Sequence, residues 1–499
     1  MLKSILQLKS LCLLLFFSIL SNGKILGQKL PNVIYIYADD LGYGDLGCYG
    51  QKIINTPHLD QMARDGMRFT QHYSSAPVCA PARTMLLTGK HAGHAYIRGN
   101  YELGGFEDTA ERGQMPLLEG TFTIATLMKQ AGYKTGIIGK WGLGMNNNSG
   151  NPLLQGFDYA YGYLDQKQAH NYYPTHLWEN GQWDTLNNLP FLPHQKLDSF
   201  KAVDKDFYAF TGEDYAPAKM TEKALKFIND NEKNPFFLYL PFNLPHLSLQ
   251  APDEYVNKYK GLYNENPYYG QKGYLPNKYP LSTYAAMVTF LDDQVGLVMA
   301  KLRELGLEEN TIVMFSSDNG ATFNVGGFDR AFFNSNAGLR GGKAELFEGG
   351  IRAPFIVKWP GKIVAGKTSN LLAAQFDIMA TLAEITKQPI SMNISDGVSL
   401  LPEFLGTPLL QKLHPYLYFE FAENDGQVAI RMANWKGVKV NLKQNPDSKW
   451  MLFDLNTDPN ETKDVADIHP IIVRKLNEIS IREHNTAFIK QWELPFPKN

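Results

Sequence analysis

Four oxygen-bearing side chains stand at the ends of two apolar runs in this sequence, where they could hold a metal ion together. The residues are Asp39, Asp40, Asp318 and Asn319. Carboxylate and amide oxygens suit Ca²⁺ or Mg²⁺, whereas zinc prefers imidazole and thiolate ligands. Each pair alone would be explained as a helix cap or a turn. The presence of both pairs after apolar runs favours a metal site.

A second reactive group lies in the segment 77–89, whose sequence is PVCAPARTMLLTG. Cys79 could act as a nucleophile, although a lone cysteine before a proline is ordinarily a packing residue. Arg83 follows four residues later, which in a helix places it one turn along on the same face. Cys48 is left without a disulfide partner if Cys79 has this chemical role.

The segment resembles the signature of the formylglycine-dependent (type I) sulfatases, which is Cys-x-Pro-Ser/Ala-Arg followed by Thr-Gly. Cys79, Pro81 and Arg83 match that signature in register, and Thr88 and Gly89 stand at the expected offset. The resemblance covers nearly the whole chain after the first 29 residues. It implies an arylsulfatase-like enzyme of the alkaline phosphatase superfamily.

The resemblance implies that a maturation enzyme oxidises Cys79 to formylglycine, and that the hydrated aldehyde is the nucleophile. One hydroxyl of the hydrate can attack the sulfur of a sulfate ester, and deprotonation of the other then expels sulfate. It also implies one Ca²⁺ per chain, bound by Asp39, Asp40, Asp318, Asn319 and the modified Cys79. Such an ion would polarise the sulfate oxygens, while Arg83 would hold the hydrate and a ligand carboxylate.

Three further basic residues match family positions. Lys140 lies in GKWGLG, His246 in PFNLPH and Lys343 in GGKAELFEGGIRAP. The resemblance assigns Lys140 to the sulfate and the nucleophile, and His246 to the leaving oxygen. Together the three residues would form the positive surroundings that a sulfuryl-transfer transition state requires. Glu348 and Arg352 are expected to hold the last segment in shape.

One position departs from the family pattern. Many relatives have Lys-Trp-His-Leu-Gly where this chain has Gly142, so a histidine near the leaving group is missing. A sugar leaves as a poorly stabilised alkoxide, which makes a proton donor or an oriented hydrogen bond valuable there. Glycine also leaves space for a side chain from another loop, and His170 is the best candidate. We predict that His170 enters the site and either assists the leaving oxygen or binds a substrate hydroxyl. The alternative is that His246 alone does the acid work and His170 is an ordinary loop residue.

Strand-like and helix-like segments alternate along the chain and must position these residues. The predicted strands are 32–38, 134–138, 235–240, 311–316 and 353–358, and the predicted helices are 57–65, 123–131, 218–231, 281–305 and 377–385. This alternation predicts an α/β catalytic domain over 29–390, with a large, mostly parallel (mixed) sheet sandwiched by helices. Ligands of such sheets bind beyond the carboxyl ends of the strands.

Short strands with turn signals follow after about residue 400. The predicted strands are 416–421, 427–432, 437–442 and 451–454, and a helix at 471–483 follows them. They predict a smaller C-terminal α+β subdomain over 400–490 with an antiparallel sheet.

Composition restricts the function classes. The 499 residues include 48 basic and 50 acidic side chains, and 44% are hydrophobic. The hydrophobic fraction excludes a disordered chain, and the balanced charge argues against a nucleic-acid partner.

Residues 1–23 contain two lysines, an apolar run and a small-residue cleavage site, which predicts a cleaved signal peptide. We therefore expect export to the periplasm or the medium, without stable membrane insertion.

The substrate is less well defined by the sequence. Aromatic residues crowd the presumed loop after Phe157, namely Tyr159, Tyr161, Tyr163, Tyr172, Tyr173 and Trp178, and 255–284 is also rich in tyrosine. Such rings could stack on the sugar of a sulfated polysaccharide or glycan fragment, although core packing would explain them equally well. Two other functions stay open: a phosphatase or phosphodiesterase of the same superfamily, and a catalytically silent sulfated-glycan-binding protein.

Overall fold

Buried strands alternate with helices along most of the chain. The computed structural model describes residues 30–104, 111–391 and 393–496, so the predicted signal peptide over 1–23 lies outside the described residues. The strands are β1 Asn32–Ala38, β2 Met67–Phe69, β3 His72–Tyr73, β4 Lys134–Lys140, β5 Tyr159–Tyr163, β6 His176–Glu179, β7 Gln182–Thr185, β8 Phe236–Pro241, β9 Thr311–Ser317, β10 Phe355–Lys358, β11 Lys367–Ser369, β12 Ala373–Ala374, β13 Leu417–Phe421, β14 Gln427–Met432, β15 Trp435–Lys439 and β16 Met451–Asp454.

Most of the predicted helices are also present, with ends that differ by a few residues. The α-helices are α1 Pro57–Asp65, α2 Cys79–Thr88, α3 Ile124–Gln130, α4 Asp204–Phe207, α5 Ala216–Asp230, α6 Asp253–Val256, α7 Pro280–Glu304, α8 Arg330–Phe333, α9 Glu348–Ile351, α10 Asp377–Thr386, α11 Leu401–Phe404 and α12 Pro470–Glu483. In the described part of the chain, none of the helices combines the length and apolarity needed to cross a membrane.

The predicted fold class is confirmed. Within the described residues, ten strands form one mixed sheet in the order β11-β2-β10-β9-β1-β8-β4-β5-β6-β7. The central strands β9, β1, β8, β4 and β5 are parallel to their neighbours in this row, whereas β10 and β6 run antiparallel at its two sides. Because parallel strands end at the same edge of a sheet, the residues that follow β9, β1, β8 and β4 lie near one another.

Helices cover both faces of this sheet, as the complete burial of β1 requires. Ile34 and Ile36 pack in a core with side chains of α1, α5 and α7. Tyr35 and Tyr37 point to the opposite face, since side chains alternate along a strand. On that face the guanidinium carbon of Arg83, in α2, lies 5.6 Å from the centre of the Tyr37 ring.

The prediction of a loop after Phe157 is wrong, because Tyr159–Tyr163 is the parallel strand β5. Its alternation of tyrosine with alanine and glycine has the period of a strand, and Gly162 lies so close to the backbone of Gly139 that no side chain would fit between them. Four of the aromatic side chains offered for sugar stacking are core residues, namely Tyr161, Tyr163, Tyr172 and Tyr173. Core packing is therefore the correct explanation for these four.

The C-terminal segment forms a separate antiparallel sheet in the order β13-β14-β15-β16. Phe419 and Val438 of this sheet share a core with Phe347, in the segment that follows Lys343. A buried ion pair crosses the same contact, since the Lys436 Nζ lies 2.9 Å from a carboxylate oxygen of Glu348. The small sheet thus supports the segment that carries Lys343.

Candidate active site at the carboxyl edge of the sheet

The fold gathers the residues singled out in the sequence at one edge of the large sheet. Asp39 and Asp40 follow β1, Lys140 ends β4, His246 lies in the loop after β8, and Asp318 and Asn319 follow β9. All of them are buried. Cys79 begins α2 and faces the same edge, where its Sγ donates a hydrogen bond of 3.3 Å to Asp39 Oδ1.

The environment of Cys79 does not activate a thiol. Burial, together with the neighbouring Asp39, raises the pKa of the Cys79 thiol well above its ordinary value, although Lys140 and Lys343 oppose the shift. The thiolate is the nucleophilic form of cysteine, and reactive cysteines have lowered pKa values. An unmodified Cys79 would therefore be a poor nucleophile at neutral pH.

Arg83 and Lys140 bind the carboxylates that lie beside Cys79. The Nη2 of Arg83 lies 3.1 Å from Asp318 Oδ2 and 3.4 Å from Asp39 Oδ2, so it bridges the ends of β9 and β1. Its Nη1 donates to the backbone oxygen of Lys140 at 2.6 Å. The Lys140 Nζ in turn lies 2.5 Å from Asp39 Oδ2. Arg83 is fully buried, so its contacts fix carboxylates rather than reach a bound molecule.

Lys343 and His246 form a second group of contacts around Cys79. The Lys343 Nζ lies 2.9 Å from Asp40 Oδ2, 3.6 Å from the Cys79 Sγ and 3.0 Å from the Nε2 of His246. Burial and the charge of Lys343 lower the pKa of His246 to about 4, which keeps the imidazole neutral at pH 7. Its Nδ1 bonds the backbone oxygen of Leu247, so the proton resides on Nδ1 and Nε2 accepts from Lys343.

The carboxylates differ in charge state because their neighbours differ. Burial alone would raise the pKa of Asp39, but the charges of Lys140 and Arg83 outweigh it and hold that pKa well below its ordinary value. Burial and the charge of Asp39 raise the pKa of Asp318 to about 7, against a smaller opposing effect of Arg83. The charge of one carboxylate thus shifts the pKa of the next in this small buried cluster.

The donor set fits a hard divalent cation. Asn319 donates from Nδ2 to Asp40 Oδ1 at 2.7 Å, and within the described residues its buried Oδ1 has no hydrogen-bond partner. An orphaned buried oxygen beside three carboxylates is the arrangement that a Ca²⁺ or Mg²⁺ ligand set requires. Ligand atoms of Asp39, Asp40 and Cys79 also lie within 4.8 Å of one another.

A cavity of about 530 Å³ opens above Cys79. Its floor is formed by Cys79, Lys140, His246 and Lys343, and its outer wall includes Asn100, Glu102, Gln166, Lys167, His170, Tyr274, Phe323, Arg330, Glu345, Phe421, Glu423 and Asn424. Most of the outer wall could not be found from the sequence, because these residues come from separate loops with no shared spacing. Of the two tyrosine-rich stretches, the second contributes Tyr274 to the wall.

His170 reaches the cavity, but not through the space beside Gly142. That space is filled by Gln166, whose Cγ lies 2.5 Å from the point where a Cβ at position 142 would stand. His170 instead stacks on His246, with ring centres 4.6 Å apart and planes inclined by 15°. Gln166, rather than His170, therefore occupies the space left by Gly142, while His170 lines the cavity beside His246 and its role stays a prediction.

Comparisons with known proteins identify the family of this chain. The family model described as Sulfatase matches residues 31–388, and the model described as N-sulphoglucosamine sulphohydrolase, C-terminal, matches residues 342–481. The chain is 31% identical to an N-acetylgalactosamine-6-O-sulfatase of Bacteroides thetaiotaomicron, over 92% of this chain and 93% of that protein. It is 32% identical to an N-acetylgalactosamine-6-sulfatase of Canis lupus familiaris, over 85% of this chain and 74% of that protein.

Solved structures show the same fold. The crystal structure of Ps i-CgsB superposes with a TM-score of 0.73 at 27% sequence identity, covering 91% of this chain and 92% of that chain. A second structure of that protein, in complex with k-i-k-neocarrahexaose, superposes with the same TM-score at 26% identity.

Proposed function

This chain belongs to the sulfatase family, and from that premise we propose that it hydrolyses sulfate esters of sugars through an oxidised Cys79 and a bound divalent cation. The observation that carries the proposal is the position of Cys79, which lies at the floor of the cavity between Asp39 and Lys343. A phosphatase and a silent glycan-binding protein, the two other functions left open by the sequence, have no comparable observation in their favour.

The proposed cation is Ca²⁺, held by Asp39, Asp40, Asp318, Asn319 and the modified residue 79. When bound, it supplies positive charge that polarises the sulfate oxygens and favours ionisation of the nucleophile. The three carboxylates balance the charges of Arg83, Lys140 and Lys343. A divalent cation would therefore leave the site with the excess positive charge that a sulfate monoester, an anion, needs.

The nucleophile in this proposal is the hydrate of formylglycine, formed from Cys79 by a maturation enzyme. Its first hydroxyl loses its proton, attacks sulfur and displaces the sugar oxygen, which takes up a proton. Deprotonation of the second hydroxyl then breaks the carbon–oxygen bond to sulfate and re-forms the aldehyde, which water hydrates again, so no stable sulfate ester is left on the enzyme. The raised pKa of the thiol supports this proposal, because the unmodified side chain is poorly suited to attack. Lys343 stands 3.6 Å from the Sγ and would bind the developing negative charge beside it.

The remaining floor residues have separate roles. We assign Lys140 to the nucleophile and the sulfate, since it lines the cavity and its Nζ binds Asp39, the carboxylate that accepts from Cys79. We assign Arg83 to holding Asp39 and Asp318 in place. His246 and Lys343 together face the leaving oxygen, where the ammonium of Lys343 is the proton-bearing partner of their hydrogen bond. His170 lines the cavity beside them and contacts the sugar.

The substrate class follows from the relatives as a proposal. Two curated relatives are named as sulfatases of N-acetylgalactosamine, and one structural relative is described with a carrageenan oligosaccharide. We propose a sulfated sugar of a polysaccharide or glycan fragment, with the sulfate on the cavity floor and the ring against the outer wall.

We also propose export of the enzyme after signal-peptide cleavage, a catalytic domain over 29–390 and a C-terminal subdomain over 400–490.

A comparison of matched esters tests this function. The purified enzyme should release sulfate from N-acetylgalactosamine 6-sulfate or a carrageenan oligosaccharide. It should act on the corresponding phosphate esters at least about 100-fold more slowly. The reason is that a site with one divalent cation poorly stabilises the extra charge of a phosphate monoester. Released sulfate and phosphate are measured by ion chromatography. Faster release of phosphate than of sulfate would contradict the proposal and favour a phosphatase.

A further inference from the structure

Three imidazoles and a tyrosine ring form a cluster on the cavity wall. His170 stacks on His246, and the centre of the Tyr274 ring lies 5.5 Å from that of His170 and 5.0 Å from that of His194. His194 does not follow from any motif, since it lies in the irregular segment between β7 and α4. The hydrogen bonds of this cluster determine which ring nitrogens carry protons.

The backbone fixes the tautomer of His194. The Tyr274 N–H donates to the Nδ1 of His194 at 3.0 Å, so this nitrogen must present a lone pair. A protonated imidazolium would place a second N–H against the Tyr274 N–H and would be repelled. Burial and the charge of Lys167 also lower the pKa of His194. His194 is thus neutral and carries its proton on Nε2.

His194 in turn fixes the tautomer of His170. The Nε2 of His194 lies 3.4 Å from the Nδ1 of His170, and since His194 has its proton on Nε2, His170 accepts through Nδ1. Burial and the charges of Lys140 and Lys343 lower the pKa of His170 well below its ordinary value, so this ring is neutral as well. Its proton must therefore be on Nε2, and this N–H has no acceptor among the described residues while the side chain lines the cavity.

The two stacked imidazoles consequently present opposite groups. The Nε2 of His246 is an acceptor occupied by Lys343, whereas the Nε2 of His170 is a donor without a protein acceptor. His170 is partly exposed to the cavity, so its Nε2–H is accessible to an acceptor on a bound molecule. The cavity therefore offers a preset N–H beside the leaving-group side of the site.

We propose that the Nε2–H of His170 donates a hydrogen bond to an oxygen of the substrate sugar, and that His194 is a positioning residue that holds His170 in this tautomer. The inference rests on the proposed function and adds a residue that recognises the sugar rather than the sulfate. A neutral imidazole donates a hydrogen bond without giving up its proton, so it stabilises an oxygen that gains charge and does not act as a general acid.

Kinetics on two esters test this assignment. For the sulfated sugar that the wild-type enzyme hydrolyses fastest, His170→Phe should lower kcat/KM about 10- to 100-fold, through loss of one hydrogen bond to the reacting sugar. His194→Phe should lower it about tenfold, as expected for a side chain that orients another. With 4-nitrophenyl sulfate, whose leaving group needs no assistance, both variants should stay within about threefold of wild type.

Two further variants separate positioning from loss of structure. His194→Gln keeps an amide donor near the position of Nε2 and should restore most of the activity lost in His194→Phe. The double variant His170→Phe/His194→Phe should be no worse than His170→Phe alone, because His194 acts only through His170. His469→Phe is a matched control, since His469 is also partly exposed and also packs against an aromatic ring, that of Trp435, at 4.6 Å between ring centres and outside the cavity. Additive losses in the double variant would overturn the positioning role, as would equal losses on both esters.

Imidazole ¹⁵N NMR of the wild-type enzyme tests the tautomer independently of activity. The His170 signals, assigned by their absence in His170→Phe, should show the proton on Nε2, and His194→Phe should redistribute it between the nitrogens. A proton on Nδ1 of His170 in the wild-type enzyme would overturn the inference even if sulfate is released normally. Absence of sulfate release from every ester, with Nε2 protonated, would instead contradict the proposed function and leave the tautomer standing.

Discussion

Replacing Cys79 with alanine should reduce the turnover of sulfate esters by at least about 10⁴-fold, because the variant has no side chain that can become the nucleophile. The surrounding cations and carboxylates would remain and could still bind the sulfate group. The loss should therefore appear in kcat, with a smaller change in KM. Initial rates of sulfate release at several substrate concentrations measure both quantities.

The other cysteine provides the matched control. Cys48 is half-buried, and its backbone N–H bonds Asp60 on the side of the sheet that carries α1, so Cys48→Ser should keep at least half of the wild-type activity. Cys79→Ser should behave like Cys79→Ala in a host whose maturation enzyme acts only on cysteine. Full activity in Cys79→Ala would contradict the assignment of this residue.

Removal of the divalent cation should also abolish most of the activity. Treatment of the wild-type enzyme with a chelator should lower kcat at least about 10³-fold, which corresponds to about 4 kcal/mol of lost transition-state stabilisation. Addition of Ca²⁺ should restore the rate. Asp318→Asn should show the same loss without recovery, because Asn keeps the shape of the side chain but weakens the ligand set.

Asp45→Asn is the control for this substitution. Asp45 is another buried carboxyl close to the end of β1, with a pKa raised to about 7 by burial, and it accepts hydrogen bonds from Gly42 and Tyr284 rather than from the site. Its replacement should leave the rate within about threefold of wild type, since an amide preserves the shape and one accepting oxygen. Equal activity of Asp318→Asn and the wild-type enzyme, or a rate that does not respond to chelation, would contradict the proposed cation site.

The central part of the fold could be predicted because its strands are buried on both faces. A strand such as β1 is a continuous apolar run, and the acidic residues after it end the run abruptly. This change locates both the strand and the edge of the sheet at which the proposed metal ligands lie. Cys79 and Arg83 could be placed together because helical spacing alone puts them one turn apart. Because α2 begins at Cys79, the first residue of the helix lies beside Asp39.

The outer parts of the sheet and of the cavity could not be predicted in this way. The direction of β10 depends on pairing with β9 and β2, which no local pattern encodes. The tyrosines of β5 have the composition of a binding loop and the period of a strand, and only their burial decides between the two. His194 becomes significant solely through the Tyr274 N–H, a backbone group that has no counterpart in the sequence pattern.

The mass of the peptide that contains residue 79 is the sharpest test of whether Cys79 is converted to formylglycine. Tandem mass spectrometry of the active enzyme, digested and compared with a reduced and alkylated control, measures whether the cysteine has become an aldehyde. We expect residue 79 to be lighter than cysteine by about 18 Da, the change that accompanies conversion of a thiol to an aldehyde, and we expect the modified fraction to track specific activity across preparations. A fully active preparation in which residue 79 is entirely an unmodified thiol would rule out the formylglycine nucleophile.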